Sequence, residues 1–110
     1  MTVLQLQQAL NATEINLPTP HREVCGGYAG DLLSFVMGRA KENCAWFTIM
    51  TNVNVCAVAT LTDVAVVVIC EGCHADEVLV QRAKQQDVNV IATDLDVFQA
   101  ISRVAHDSSL

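Results

Sequence analysis

The stretch Val64-Ala65-Val66-Val67-Val68-Ile69-Cys70 constrains this chain more than any other part of it. Seven consecutive residues are apolar, with no alternation between polar and apolar positions. A strand with one wet face alternates, and a strand covered on both faces does not. Valine and isoleucine dominate the run, and their branched side chains favour extended backbone. Such a strand belongs inside a parallel sheet with helices above and below it.

The flanking sequence supplies the expected partners. Residues 22–28 read as a strand running into glycines, 45–50 as a second strand and 88–92 as a fourth, after the valine run. Residues 30–41 read as a helix, with Asp31 as N-cap and Leu33, Val36, Met37 and Ala40 on its inner face. Residues 74–86 read as a helix with Asp76 and Glu77 in the first turn and Arg82 and Lys84 later, as the helix dipole favours. Residues 94–105 read as a helix with Val97, Phe98, Ile101, Val104 and Ala105 facing inward. Thr51 to Asp63 is ambiguous, because Val53, Val55, Ala57 and Ala59 alternate like a strand. It lies between two strands expected to be parallel, and such a pair needs a crossover, so a helix is expected there. The order βαβαβαβα predicts the α/β class, a three-layer domain with a mainly parallel sheet flanked by helices. Residues 1–110 read as one domain, with 1–21 as an amino-terminal extension and linker: a short helix around Leu4, Leu6 and Leu10, then a proline-bearing joint.

Charge excludes several classes of partner. The net charge is −6, and the six basic residues do not cluster. A nucleic-acid groove needs converging cations, and an anionic membrane surface would repel the chain. No segment reaches membrane-spanning length, and the opening residues lack the features of a signal peptide, so a cytoplasmic location is expected. Five cysteines are present; Cys44, Cys56 and Cys70 sit in apolar runs and read as small core residues.

Cys70-Glu71-Gly72-Cys73-His74 has the C-x-x-C-H form of a haem attachment site. Its place at the end of a buried strand opposes that reading, because Cys70 then faces the core. The plainer reading is one core cysteine and a loop that contains Cys73 and His74. A metal alternative remains, in which Cys25, Cys73 and His74 meet at one sheet edge and hold zinc or an iron–sulfur group. No cofactor is identified otherwise.

Ligands of open α/β sheets bind beyond the carboxyl ends of the strands. Four loops are expected there: 26–30, 51–54, 71–74 and 93–94. The expected ligand-binding residues are Gly26, Gly27, Tyr28 and Asp31 in the first, and Thr51, Asn52 and Asn54 in the second. Two helix N-termini flanking one crevice would favour a small anionic group such as phosphate. Each set has a plainer reading beside it: a tight turn for the glycines, helix capping for the asparagines. Catalytic signatures are absent: no phosphate-binding G-x-x-x-x-G-K-[ST], no G-x-S-x-G and no H-E-x-x-H. Cys25 beside two glycines would need a base, and His74 is the one candidate. The expectation is therefore not an enzyme.

The run from Val24 to Val104 resembles a DRTGG-type domain. The residues that carry the resemblance are G-G-Y-x-x-D-L-L-S at 26–34 and T-x-V-N-x-x-A-V-A at 51–59. The chain is similar to stand-alone bacterial relatives of HPr kinase and to that enzyme's amino-terminal, non-catalytic domain. The resemblance implies an α/β domain with regulatory or ligand-sensing duties, usually in a dimer. The resulting expectation is a non-catalytic cytoplasmic regulatory domain that binds a small ligand, phosphorylated or not, or a partner protein. A homodimer is expected, with Thr51 to Leu61 taking part.

Overall fold

In the computed structural model, which describes residues 1–110, the valine run forms the middle strand of a five-stranded sheet. The elements in chain order are α1 (Val3–Ala9), β1 (Thr13–Asn16), β2 (Gly27–Ala29), α2 (Leu33–Arg39), β3 (Ala45–Thr48), α3 (Asn54–Thr62), β4 (Val66–Ile69), α4 (Glu77–Gln86), β5 (Val90–Ala92) and α5 (Val97–Val104). The strand order is β1-β5-β4-β3-β2. β2 to β5 are parallel, and β1 joins β5 antiparallel. The α/β class and the mainly parallel sheet follow as expected.

Every residue of β3 and β4 is buried. Their side chains divide between two cores. Val66 and Val68 join Ala45, Phe47 and Ile91 under α1 and α5, against Val3, Leu6, Ala100 and Val104. Val67 and Ile69 join Trp46 and Val90 under α2, α3 and α4, against Val36, Val55, Val58, Leu79 and Ala83. The division follows from strand order. From β2 to β5 each crossover steps one strand in the same direction, and crossovers share one hand, so α2, α3 and α4 pile on one face. Burying a valine or isoleucine side chain stabilises by roughly 1.5–3 kcal/mol, so this strand alone anchors both cores.

Several local expectations shift. The strand expected at 22–28 is Gly27–Ala29. Residues 22–24 instead bond the amino terminus: Val3 N donates to Arg22 O, Val24 N to Met1 O, and Thr2 bridges Glu23. Residues 1–21 are accordingly part of the body. Met1, Val3, Leu6, Leu10 and Ala12 are core residues, and β1 was not expected at all. Asp31 is not an N-cap; Leu32 takes that position without a side-chain hydrogen bond. Met37 is 47% exposed and Phe98 80% exposed, so neither faces inward. The inner face of α5 is Val97, Ala100, Ile101 and Val104, and Ala105 is exposed. Thr51 to Asp63 does contain the expected helix, and Val55, Cys56, Val58 and Ala59 are buried in the chain's own core, leaving Leu61 as its large exposed apolar side chain.

Two polar clusters close the amino-terminal edge of the sheet. Asn89 is buried, and its Nδ2 donates to Ala65 O at 2.9 Å, Thr19 O at 3.1 Å and Thr19 Oγ1 at 2.8 Å, while its Oδ1 accepts from Thr19 N at 3.1 Å. It thereby pins the proline-bearing segment to β4 and β5. Arg22 donates through Nε and Nη2 to Asn43 Oδ1 and through Nη2 to Asp63 O and Oδ1. Asn43 and Asp63 both have positive φ, 67° and 55°, which Asn and Asp tolerate better than most residues.

Two expected outcomes follow from this packing. Asn89→Ala strands a buried carbonyl and a backbone N–H, and should cost about 2–3 kcal/mol in urea denaturation. Loss of less than half of that would show that water replaces the amide. The cysteines give the second. Burial raises the thiols of Cys44 and Cys56. Burial, then Glu71, Asp96 and Cys73, push Cys70 from 9.0 to about 11. The folded state therefore holds the Cys70 proton over a range in which the unfolded chain releases it. That contribution to stability is complete below about pH 9 and lost as pH rises through about 11. The urea midpoint should fall over this window, less steeply in Cys70→Ala. An aromatic disulfide reagent should modify Cys25, which is exposed, before unfolding, and Cys44, Cys56 and Cys70 only on unfolding.

Candidate functional site

Crevices form in α/β sheets where neighbouring strands send their chains to opposite faces. Here that happens between β4 and β5: α4 follows β4 onto the face of α2 and α3, while α5 follows β5 onto the face of α1. The two loops that diverge are bonded to each other. Glu71 N donates to Leu95 O at 2.8 Å and Gly72 N to Thr93 O at 3.1 Å. Glu71 and Gly72 both have positive φ, 66° and 68°. Glycine at position 72 serves the backbone turn, and a Cβ there would make ordinary contact with Asp94 Oδ1 at 3.4 Å. Thr93 Oγ1 accepts from Leu95 N at 3.2 Å, and Glu71 Oε2 accepts from Val97 N at 3.4 Å.

Beside these loops lies a crevice of about 220 Å³. Gly72, Cys73, His74 and Ala75 form one wall, Ala92, Thr93 and Asp94 a second, and Asn11, Thr13 and Ile15 the third. The backbone N–H groups of His74 and Ala75 have no acceptor in the chain. The third wall comes from the turn before β1 and β1 itself. Nothing in the local sequence marks Asn11 and Thr13 as site residues. They arrive through the antiparallel pairing of Thr13 with Ala92.

The residues expected to bind a ligand lie elsewhere, in separate places. Gly26 precedes β2, and Gly27 and Tyr28 lie within it, not in a loop beyond its carboxyl end. A Cβ on Gly27 would meet the Phe47 ring at 3.3 Å, a packing reason for glycine. Tyr28 packs on the α2–α4 core. Asp31 is exposed past the end of β2. Thr51 O accepts from Asp76 N at 3.0 Å, and Asn52 Oδ1 accepts from Asn54 N at 2.9 Å, which caps the start of α3. The glycines and the Asn52–Asn54 turn therefore do not flank one crevice. α2 and α3 leave their strands onto the same face and pack together, so no divergence opens between them.

The metal alternative is corrected by the same geometry. Cys25 N donates to Asn43 O, ahead of β3, whereas Cys73 and His74 follow β4. A four-residue strand at about 3.3 Å per residue separates the two edges. No group of three His, Cys, Asp or Glu side chains is placed to hold a metal ion. Cys25 and His74 likewise cannot act as nucleophile and base on one substrate.

The carboxyl edge is acidic. Asp31, Glu71, Asp94 and Asp96 lie in its loops, with Asp76 as the N-cap of α4 and Glu77 in its first turn. Four of the six cations lie at the far ends: Arg39, Lys84 and Arg103 in the last turns of α2, α4 and α5, and Arg22 in the amino-edge cluster. This arrangement suits the helix dipoles and leaves the crevice without a Lys or Arg. Asp94 supplies the crevice's one carboxylate. No helix is long and apolar enough to cross a membrane.

No family model and no curated protein sequence matches the chain. Among solved structures, it is similar to the CBS and DRTGG domains of the regulatory region of Clostridium perfringens pyrophosphatase, complexed with the activator diadenosine tetraphosphate. The TM-score is 0.73 at 15% identity, over 92% of this chain and 44% of that one. The chain thus spans less than half the length of that neighbour. At this identity the likeness concerns the fold: the sheet and helices described above are those of a chain that contains CBS and DRTGG domains.

Proposed function

We propose that the chain is a non-catalytic regulatory module of the DRTGG type that binds a nucleotide in the crevice between β4 and β5. The observation that carries this reading is the walled crevice at the carboxyl edge, bounded by the loop after β4, the end of β5 and β1 with the turn before it. Its polar groups suit the two ends of a nucleotide. Asp94 and the Asn11 side chain match the donor and acceptor edge of a base. The free N–H groups of His74 and Ala75 can meet a phosphate, although six carboxylates along this edge weaken any purely electrostatic attraction. The base therefore supplies selectivity and the phosphate adds little. The nucleotide activator of the structural neighbour supports this ligand class. Separation of Cys25 from His74 supports the non-catalytic part of the reading.

Thermal-shift measurements with adenosine, adenine nucleotides, guanine nucleotides and sugar phosphates test it. An adenine compound at millimolar concentration should raise the wild-type midpoint. Thr13→Trp places a bulky side chain in the crevice from an exposed strand position, and should remove that rise without lowering the midpoint of the free protein. If no nucleoside or nucleotide stabilises the wild type, the ligand class is wrong. If Thr13→Trp responds as the wild type does, the crevice is not the site.

A further inference from the structure

The sheet has two edge strands, β1 and β2, and β2 pairs only with β3. Its bonds to β3 run through alternate residues: Gly26 O accepts from Ala45 N at 3.0 Å, and Gly30 N donates to Phe47 O at 3.1 Å. In such a ladder the residues between them, Gly27 and Ala29, aim their N–H and C=O groups away from the sheet. Native edges are commonly blunted by shortness, charge, proline or a bulge, and β2 is short, at three residues. Gly27-Tyr28-Ala29 carries no charge, proline or bulge, and Gly27 and Ala29 are exposed.

The sheet face beside this edge is open as well. α5 packs over β3, and beside it Gly27 and Ala29 present nothing larger than a methyl group. A hollow of about 450 Å³ lies between them and Phe47, Ile101, Val104 and Leu110. Ala29 and Phe47 also wall a second hollow, of about 280 Å³, that reaches Ile49, Asp31 and Glu71. The two hollows adjoin at these shared walls and together make a trough along the β2 edge, apolar at the Gly27 end and acidic at the other. No Lys or Arg lines either part.

We infer that this edge docks an extended segment of a partner protein, with apolar side chains at alternate positions and a lysine or arginine at the end lying beyond Ala29. The segment's backbone pairs with the outward groups of Gly27 and Ala29, as in strand addition to an open edge. Its side chains on one face recur every second residue. With only hydrogen and a methyl group in the way, they lean over the edge into the trough. The terminal cation meets Asp31 and Glu71. Three edge residues offer few backbone bonds, so the apolar trough and the ion pair decide affinity. The inference uses the β2 edge and not the crevice between β4 and β5, so either can fail without the other.

The probes are two labelled synthetic peptides of alternating valine and serine, one flanked by lysines and one by glutamates, with binding read by fluorescence anisotropy at low salt. The lysine peptide should bind about tenfold more tightly than the glutamate peptide, or better. Asp31→Lys combined with Glu71→Lys should reverse the preference. Ala29→Pro removes an outward N–H at an edge position where proline is tolerated, and should abolish binding while the circular dichroism spectrum stays that of the wild type. If that variant does not fold, Ala29→Phe, which fills the trough and leaves the backbone bonds alone, must abolish binding. The inference falls if the wild type binds neither peptide at millimolar concentration, if both bind equally, or if the folded Ala29 variant binds as the wild type does. It falls equally if sedimentation shows a concentration-dependent dimer that Ala29→Pro dissolves and the lysine peptide does not, since the edge then pairs with a second copy of the chain.

Discussion

Burial of β4 on both faces is the constraint on which the rest of this structure depends. Val66 and Val68 point to one core and Val67 and Ile69 to the other. Neither face can be left wet, because a parallel sheet with an exposed apolar face has no stable solution in water. Three helices supplied by the crossovers cover one face. The other is covered by α5 and by α1, which comes from the far end of the chain. The amino-terminal residues are therefore required by the sheet. They hold their place through the Asn89 amide and the backbone bonds from residues 22–24.

Strand order decides where ligands can reach. Because β2, β3, β4 and β5 lie side by side in chain order, their connecting helices stack on one face and close the gaps between their own N-termini. The one divergence is at β5, where the chain turns to the other face. At the opposite edge the same order leaves β2 with a single neighbour. The two surfaces with open polar groups thus lie at opposite sides of the sheet, each a consequence of topology. The helices contribute part of the charge pattern: Asp76 and Glu77 stand at the start of α4 and Asp96 at that of α5, while Lys84 and Arg103 stand in their last turns, each such charge stabilising its helix by a few tenths to about 1 kcal/mol.

Much of this was legible in the residues. The apolar run at 64–70 identified a central parallel strand, and the crossover requirement settled α3 as a helix against its own alternating pattern. The glycines and the Asn52–Asn54 turn do not line one crevice, for two reasons that local sequence does not carry. Three glycines in five residues look like a loop, yet Gly27 is a strand residue packed on the Phe47 ring. The topological rule also requires diverging helices, and α2 and α3 do not diverge. Phe98 and Met37 are exposed although apolar periodicity assigns them to inner faces, because a residue one position from the inner stripe of a short helix has nearly the same period as one on it.

The sequence by itself determined the fold class, the alternation of parallel strands and helices from β2 to α5, and the burial of Cys44, Cys56 and Cys70, because each of these depends on side chains within a few residues of one another. Only the tertiary structure decided the rest. That Thr13 pairs with Ala92, that Cys25 and His74 stand at opposite edges, and that Asn11 walls a crevice with Asp94 all join residues far apart in the chain. Such pairings arise from covering both faces of one sheet with a limited number of helices, and that is a condition on the whole chain and not on any segment of it.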